Sequence, residues 1–333
     1  MDAELVAGGE TASINLTVLP LIGINGNKMG TMILMEDISA EKRVKATMAR
    51  YMDPGLADRL LKSGEALLGG QSSVATVMFS DIRSFTTMTE ELGAQGTVSL
   101  LNEYFTLMVD CIAREGGMLD KFIGDAIMAI FGTPMSHGDD EDRAVRAAVS
   151  MLRELEIYNA SRTSAGKKPL AIGIGLATDH IVSGNIGSPK RMDYTVIGDG
   201  VNLASRLESA CKGYGTRLLV SEATFQKLRG TYRSREIDRL VVKGKTQPVG
   251  VYEILEYHTP ETFPHLGDAL AHFRNGLELY RARRWYEAAK AFRQVLDLNQ
   301  HDRPSQIYVG RSEYFASHPP AEEWAGEWIL EHK

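Results

Sequence analysis

Only two cysteines, Cys111 and Cys211, occur in 333 residues, and they lie far apart. That excludes a disulfide framework and a cysteine-based zinc site, and it fits a reducing cytoplasm. No apolar run approaches the roughly eighteen residues that a spanning helix needs, so no membrane segment is expected. The N-terminus has no basic stretch leading into an apolar block, so no signal peptide is expected. Positive charge is not in excess either: 37 Lys and Arg against 43 Asp and Glu leave a formal charge of −6. A general nucleic-acid binder would need a basic surface, so nucleic acid is not an expected partner.

What is present is an ordinary apolar fraction, enough for a sizeable core. The pattern along the chain predicts four sections. Over 1–40, "INLTVLPLIG" and "KMGTMILMEDIS" predict two strands around the turn "NGNK". An isolated hairpin is only marginally stable, so this section reads as the end of a domain that began earlier. Over 41–70 a linker helix is expected, with Val44, Met48 and Tyr51 spaced for a short helix–helix seam. Residues 71–257 alternate strands and helices. "SSVATVMFSDI" is a buried strand, 84–115 a helix, and 117–131 a hairpin. "DDEDRAVRAAVSMLRELEIYN" is an amphipathic helix. "PLAIGIGLATD" and "IVSGNIG" predict a second hairpin, and "MDYTVIGDG" runs from a strand into the helix "VNLASRLESACKG". The order predicts an α+β fold with a largely antiparallel sheet and helices on one face. Over 258–333, "ALAHFRNGLELYRARRWYEAAKAFRQVLDLN" predicts an α-helical hairpin with Tyr280, Trp285, Ala288, Ala289 and Phe292 at its seam. It resembles one tetratricopeptide unit, which would lean on a neighbouring surface.

The chemistry concentrates in the third section. Asp81 ends a strand in "FSDIRSFT", and Asp125 sits in the turn of "DKFIGDAIMAIFG". If those strands are neighbours, two carboxylates face one space and call for a cation. Paired carboxylates, water and substrate phosphates are a usual way to hold Mg²⁺. Each aspartate alone could equally cap a turn. Ile82, Arg83, Ser84, Phe85 and Thr86 then enter a helix, whose free N–H groups suit phosphate; Ser84 or Thr86 could also serve as a plain N-cap. In "YTVIGDGVNLASRLE", Asn202 and Arg206 share a helix face at i, i+4. "VVKGK" adds Lys243 and Lys245.

The four motifs, in this order and at these separations, resemble the class III nucleotidyl cyclases over roughly residues 71–256. The resemblance implies a ferredoxin-like domain that pairs head to tail as a homodimer with shared active sites. It implies two Mg²⁺ (or Mn²⁺) per site on Asp81 and Asp125 with the carbonyl of Ile82, and β- and γ-phosphates on residues 82–86. It implies base reading by Lys121 with Thr195 and the backbone near Val196. Asn202 would orient the ribose, and Arg206 would stabilise charge on the α-phosphate. Lys243 best matches the phosphate lysine, with Lys245 as the alternative. Many members have glycine at the position of Ser84. The first forty residues resemble the last part of a PAS sensor domain.

Lys121 can only donate, which matches adenine N1 and not the N1–H of guanine. Thr195 can accept from the adenine amine but can also donate, so it leaves the choice softer. A guanylyl enzyme of this family typically shows glutamate and cysteine at these two positions. The resemblance therefore implies an adenylyl cyclase acting on ATP.

Overall fold

The computed structural model describes residues 2–7, 10–24, 26–40, 42, 70–188, 190–240, 248–321 and 324. The chain divides into two compact units, Met1–Leu67 and Leu68–Lys333.

The first unit is an antiparallel meander of β1 (Asp2–Ala7), β2 (Glu10–Ile22) and β3 (Lys28–Asp37). Two of these strands were expected; β1 was not read from the sequence. The turn between β2 and β3 closes with the Gly23 N–H donating to the Asn27 carbonyl at 2.8 Å. Ile14 is buried, while Val18, Ile33, Leu34 and Met35 are exposed. The seam residues Val44, Met48 and Tyr51 of the expected linker helix lie outside the described residues.

The second unit is built on one sheet. β4 (Gln71–Ile82) is central, flanked by β6 (Ala126–Phe131) and β7 (Ile172–Ser188), both antiparallel to it. β5 (Met118–Ile123) forms the edge beyond β6. On the other side follow β9 (Leu218–Ser221), β11 (Val249–Ile254) and β10 (Ser234–Leu240). β9 is parallel to β7, and the remaining pairs are antiparallel. β8 (Arg191–Ile197) pairs with the far half of β7.

Two expectations are corrected. The hairpin expected within 169–187 is one continuous strand, β7. It pairs with β4 from Ile172 to Ser183 and with β8 from Val182 to Ser188, so no turn interrupts it. Helices also lie on both faces of the sheet rather than one. On β4, Val77 and Met78 are both fully buried but belong to opposite faces. α1 (Phe85–Arg114) and α2 (Asp140–Ser164) cover the Met78 side; α3 (Asp199–Tyr214) covers the Val77 side. A strand apolar on both faces must be covered twice.

α4 (Glu222–Lys227) is short, and among the described residues after β11 stand α5 (Leu266–Arg281), α6 (Trp285–Leu298) and α7 (Arg303–Ser317). The seam residues Tyr280, Trp285, Ala288, Ala289 and Phe292 are all buried. The hairpin leans on β10 and continues the core under α3. Buried polar groups fix the docking. Arg235 of β10 makes a bidentate pair with Asp302 at 3.0 and 2.7 Å and also reaches Glu253 at 2.7 Å. Arg311 of α7 pairs with Asp238 at 2.6 Å, and the Tyr308 hydroxyl donates to the Ile237 carbonyl at 2.8 Å.

Candidate active site

β4 and the β5–β6 hairpin bring the two expected carboxylates together. The pairing of β4 with β6 ends at Ser80, opposite Ile127, so Asp81 lies beside the hairpin turn. That turn is Gly124–Asp125, with Gly124 at φ 65°, a conformation glycine adopts without steric cost. Asp125 Oδ2 accepts the Ile82 N–H at 3.2 Å. Burial raises the Asp81 carboxyl above its ordinary range, the negative charge of Asp125 raises it further, and Arg83 acts against both. Burial likewise raises Asp125, opposed by its hydrogen bonds from backbone N–H groups. Two half-buried carboxylates, both raised by burial, are hard oxygen donors in want of a cation. Among the described residues no cluster of three or more His, Cys, Asp or Glu is gathered. The pair therefore suits a metal whose other ligands are carbonyl, water and phosphate.

The stretch after Asp81 bends sharply into α1. Ser84 stands at φ 58°, ψ 29°, left-handed, which explains why glycine suits this position. Its side chain makes no capping hydrogen bond. Two of the five amides assigned to phosphate are already engaged: Ile82 N–H with Asp125, and Arg83 N–H with the Ala171 carbonyl at 2.8 Å. Ser84, Phe85 and Thr86 open α1, where backbone N–H groups lack intrahelical acceptors and the helix dipole is positive. The Arg83 side chain turns away to Glu208, with Nη1 2.8 Å from Oε1 and Nη2 donating to the backbone carbonyl at 2.9 Å. A cleft of about 590 Å³ opens here, lined by Asp81, Ser84, Glu208 and Lys212 among others.

Asn202 and Arg206 lie exposed on α3, one turn apart. Two glycines of β7 set that helix and its anchor. A Cβ on Gly175 would stand 2.2 Å from the Ala204 carbonyl and 2.3 Å from the Glu208 nitrogen. A Cβ on Gly173 would strike the Arg83 guanidinium. Glycine at both positions lets α3 rest on the strand backbone and lets Arg83 cross it. Gly173, Gly175 and Glu208 stand in none of the four motifs; "GIG" inside an otherwise apolar strand is the sequence signal for close approach.

Lys121 and Asp125, four residues apart, part company at the hairpin. Lys121 Nζ lies 3.4 Å from Asp120 Oδ2, and the Thr195 hydroxyl donates to that same oxygen at 3.0 Å. The residues expected to read the base are thus gathered on one carboxylate, with Val196 buried beside them. Asp120 was not singled out in the sequence. Lys243 and Lys245 lie outside the described residues.

The model of the "Adenylate and Guanylate cyclase catalytic domain" family matches residues 70–256, more than half of the chain. The chain belongs to this family. The chain is 35% identical over 241 residues to "Adenylate cyclase, terminal-differentiation specific" of Dictyostelium discoideum, covering 71% of this chain and 11% of that protein. The adenylyl cyclase CyaB from P. aeruginosa superposes with a TM-score of 0.53 at 37% identity, over 57% of this chain and 98% of that one. The guanylyl cyclase Cya2 superposes with a TM-score of 0.52, also at 37% identity, over 58% and 96%. The chain spans only 11 to 36% of the length of three adenylate cyclases it matches. The α+β fold of these cyclases is therefore that of this domain. Among the described residues, no helix is long and apolar enough to cross a membrane.

Proposed function

We propose that the chain is an adenylyl cyclase, converting ATP to 3′,5′-cyclic AMP and pyrophosphate as a head-to-tail homodimer with shared sites. The observation that carries this reading is the meeting of Lys121 and Thr195 on Asp120, on the hairpin whose turn holds Asp125 beside Asp81. Relatives of equal likeness bear both adenylyl and guanylyl names, so the choice of base rests on these residues. An ammonium that only donates fits adenine N1, and a threonine oxygen fits the adenine amine.

Asp81 and Asp125, with the Ile82 carbonyl, would hold the metal. Two Mg²⁺ or Mn²⁺ ions per site, when bound, lower the pKa of the ribose 3′-hydroxyl and neutralise the triphosphate. The N–H groups of Ser84, Phe85 and Thr86 receive the phosphates, joined by Lys243 or Lys245. From the partner copy, Asn202 orients the ribose and Arg206 faces the α-phosphate. The 3′-oxygen bonds to the α-phosphorus, the bond to pyrophosphate breaks, and the hydroxyl proton passes to solvent. No histidine stands in the motifs, so no dedicated base is assigned. Arg206 contributes most where the α-phosphoryl group gains charge in the transition state.

Pairing is supported by exposed apolar side chains on the hairpins that carry these residues: Phe122, Ile123, Met192 and Ile197. Such exposure suits a face for a second copy. The N-terminal meander is read as PAS-like and the C-terminal helices as a tetratricopeptide-like unit. The test is incubation with ATP or GTP and either metal, with product identified by mass. Cyclic AMP is expected; cyclic GMP alone overturns the reading.

A further inference from the structure

Asp120 occupies an unusual place in its strand. The register of β5 against β6 slips between Leu119, opposite Ala129, and Lys121, opposite Met128. Asp120 is the extra residue of a β-bulge. A bulge breaks the strict alternation of side chains and re-aims them. Here it allows two successive residues, Asp120 and Lys121, to meet at the same place. The Asp120 side chain is 0% exposed, yet Lys121 beside it is 39% exposed. Its Oδ2 takes the Thr195 hydroxyl at 3.0 Å and lies 3.4 Å from the Lys121 ammonium, while its buried Oδ1 has no hydrogen-bond partner. A carboxylate this deep is costly to keep unless its bonds matter.

A hydroxyl has one proton and two lone pairs. An ionised carboxylate only accepts, so the Thr195 proton is committed to Asp120. What Thr195 then turns toward the base is an oxygen that can only accept. The ambiguity of threonine as a reader is thereby removed. An adenine amine meets an acceptor, and guanine O6 meets a lone pair. From these contacts we propose that Asp120 is a positioning residue for purine selection, which orients the Thr195 hydroxyl and holds Lys121 so that the pair accepts adenine and rejects guanine. This rests on the adenylyl cyclase reading, and deepens it by naming what fixes the base choice. Asp120 acts through Thr195 and Lys121 and need not touch the nucleotide.

The experiment compares kcat/KM for ATP and for GTP in the full chain and its variants, with melting temperatures as a check on folding. In Asp120→Leu the hydroxyl proton loses its acceptor, and in Asp120→Asn it keeps only a weaker, uncharged amide oxygen. The ATP-to-GTP ratio should fall roughly ten- to hundredfold, the weight of a hydrogen bond to a charged group. Part of the fall should be a rise in GTP turnover, which a merely structural role would not produce. On a Thr195→Val background, the Asp120 substitutions should no longer raise GTP turnover. An unchanged ratio in a folded Asp120 variant overturns the proposal, as does a GTP gain that persists without the Thr195 hydroxyl. If neither Asp120 variant folds, the Thr195 series decides. Thr195→Ser should keep the ratio and Thr195→Val should lose ATP preference; a Thr195→Val enzyme with the parent ratio overturns the proposal. A parent chain that makes only cyclic GMP refutes the adenylyl reading itself. An ATP-selective parent whose variants stay selective refutes only the role of Asp120.

Discussion

Replacing Gly175 by alanine tests how α3 is held. The new methyl would stand 2.2 Å from the Ala204 carbonyl and 2.3 Å from the Glu208 nitrogen. Ordinary contact begins near 3.4 Å, so helix and strand must separate by about 1.2 Å. Both clashing atoms are backbone, so no side chain can swing aside. Overpacking of this kind typically costs about 1–3 kcal/mol. Asn202 and Arg206 ride on the displaced helix, and an error near 1 Å in a reacting group can lower turnover about 10²-fold. Gly213 provides the control. It lies on the same helix with nothing within 4 Å of its added Cβ, so Gly213→Ala should keep activity and gain roughly 0.5–1 kcal/mol from helix propensity. Thermal melting and steady-state kinetics on both variants read the two effects. If Gly175→Ala melts and turns over like the parent chain, α3 does not rest on β7 as described.

Arg206→Ala should lower kcat by about 10²–10³ with little change in KM, because it removes charge stabilisation peculiar to the transition state. Steady-state kinetics read this; a raised KM at unchanged kcat contradicts the role. Arg235→Ala should cost about 3–5 kcal/mol in urea titrations, since Glu253 and Asp302 would be left buried without their cation. A loss close to zero would show that the C-terminal helices do not depend on this pair. Burial lifts the Glu253 carboxyl to about 7, with Arg235 opposing and Asp302 adding to the rise. The folded chain therefore binds more protons than the unfolded one between the ordinary glutamate range and about 7. This contribution is full below the unfolded value and is lost as pH rises through about 7. Glu253→Gln should flatten that decline in melting scans across the range; an unaltered slope rules the carboxyl out as its source.

The site was legible where chemistry and spacing coincide. The nearness of Asp81 and Asp125 and the shared helix of Asn202 and Arg206 were legible from strand ends and an i, i+4 spacing, while the tasks proposed for them come from the family resemblance. The five seam residues of the C-terminal hairpin were legible from helical periodicity. Asp120 was hidden because a bulge has no sequence period; alternation places Asp120 and Lys121 on opposite faces, and only the slipped register reunites them. The unbroken course of β7 was hidden because "TDH" in its middle looks like a turn. Its pairing partners on both halves hold it straight. The second layer of helices could have been inferred from "VATVMF", where Val77 and Met78 are consecutive and apolar. A run apolar on both faces has no side to leave in water.

The shared site is tested most directly by mixing two inactive variants, Asp81→Asn and Arg206→Ala. One mixed dimer pairs the intact acidic pair of the Arg206 variant with the intact α3 of the Asp81 variant. Cyclic AMP synthesis should return on mixing, to a level set by the fraction of mixed dimers. Continued silence, with association of the two chains shown independently, would contradict an active site built from two copies.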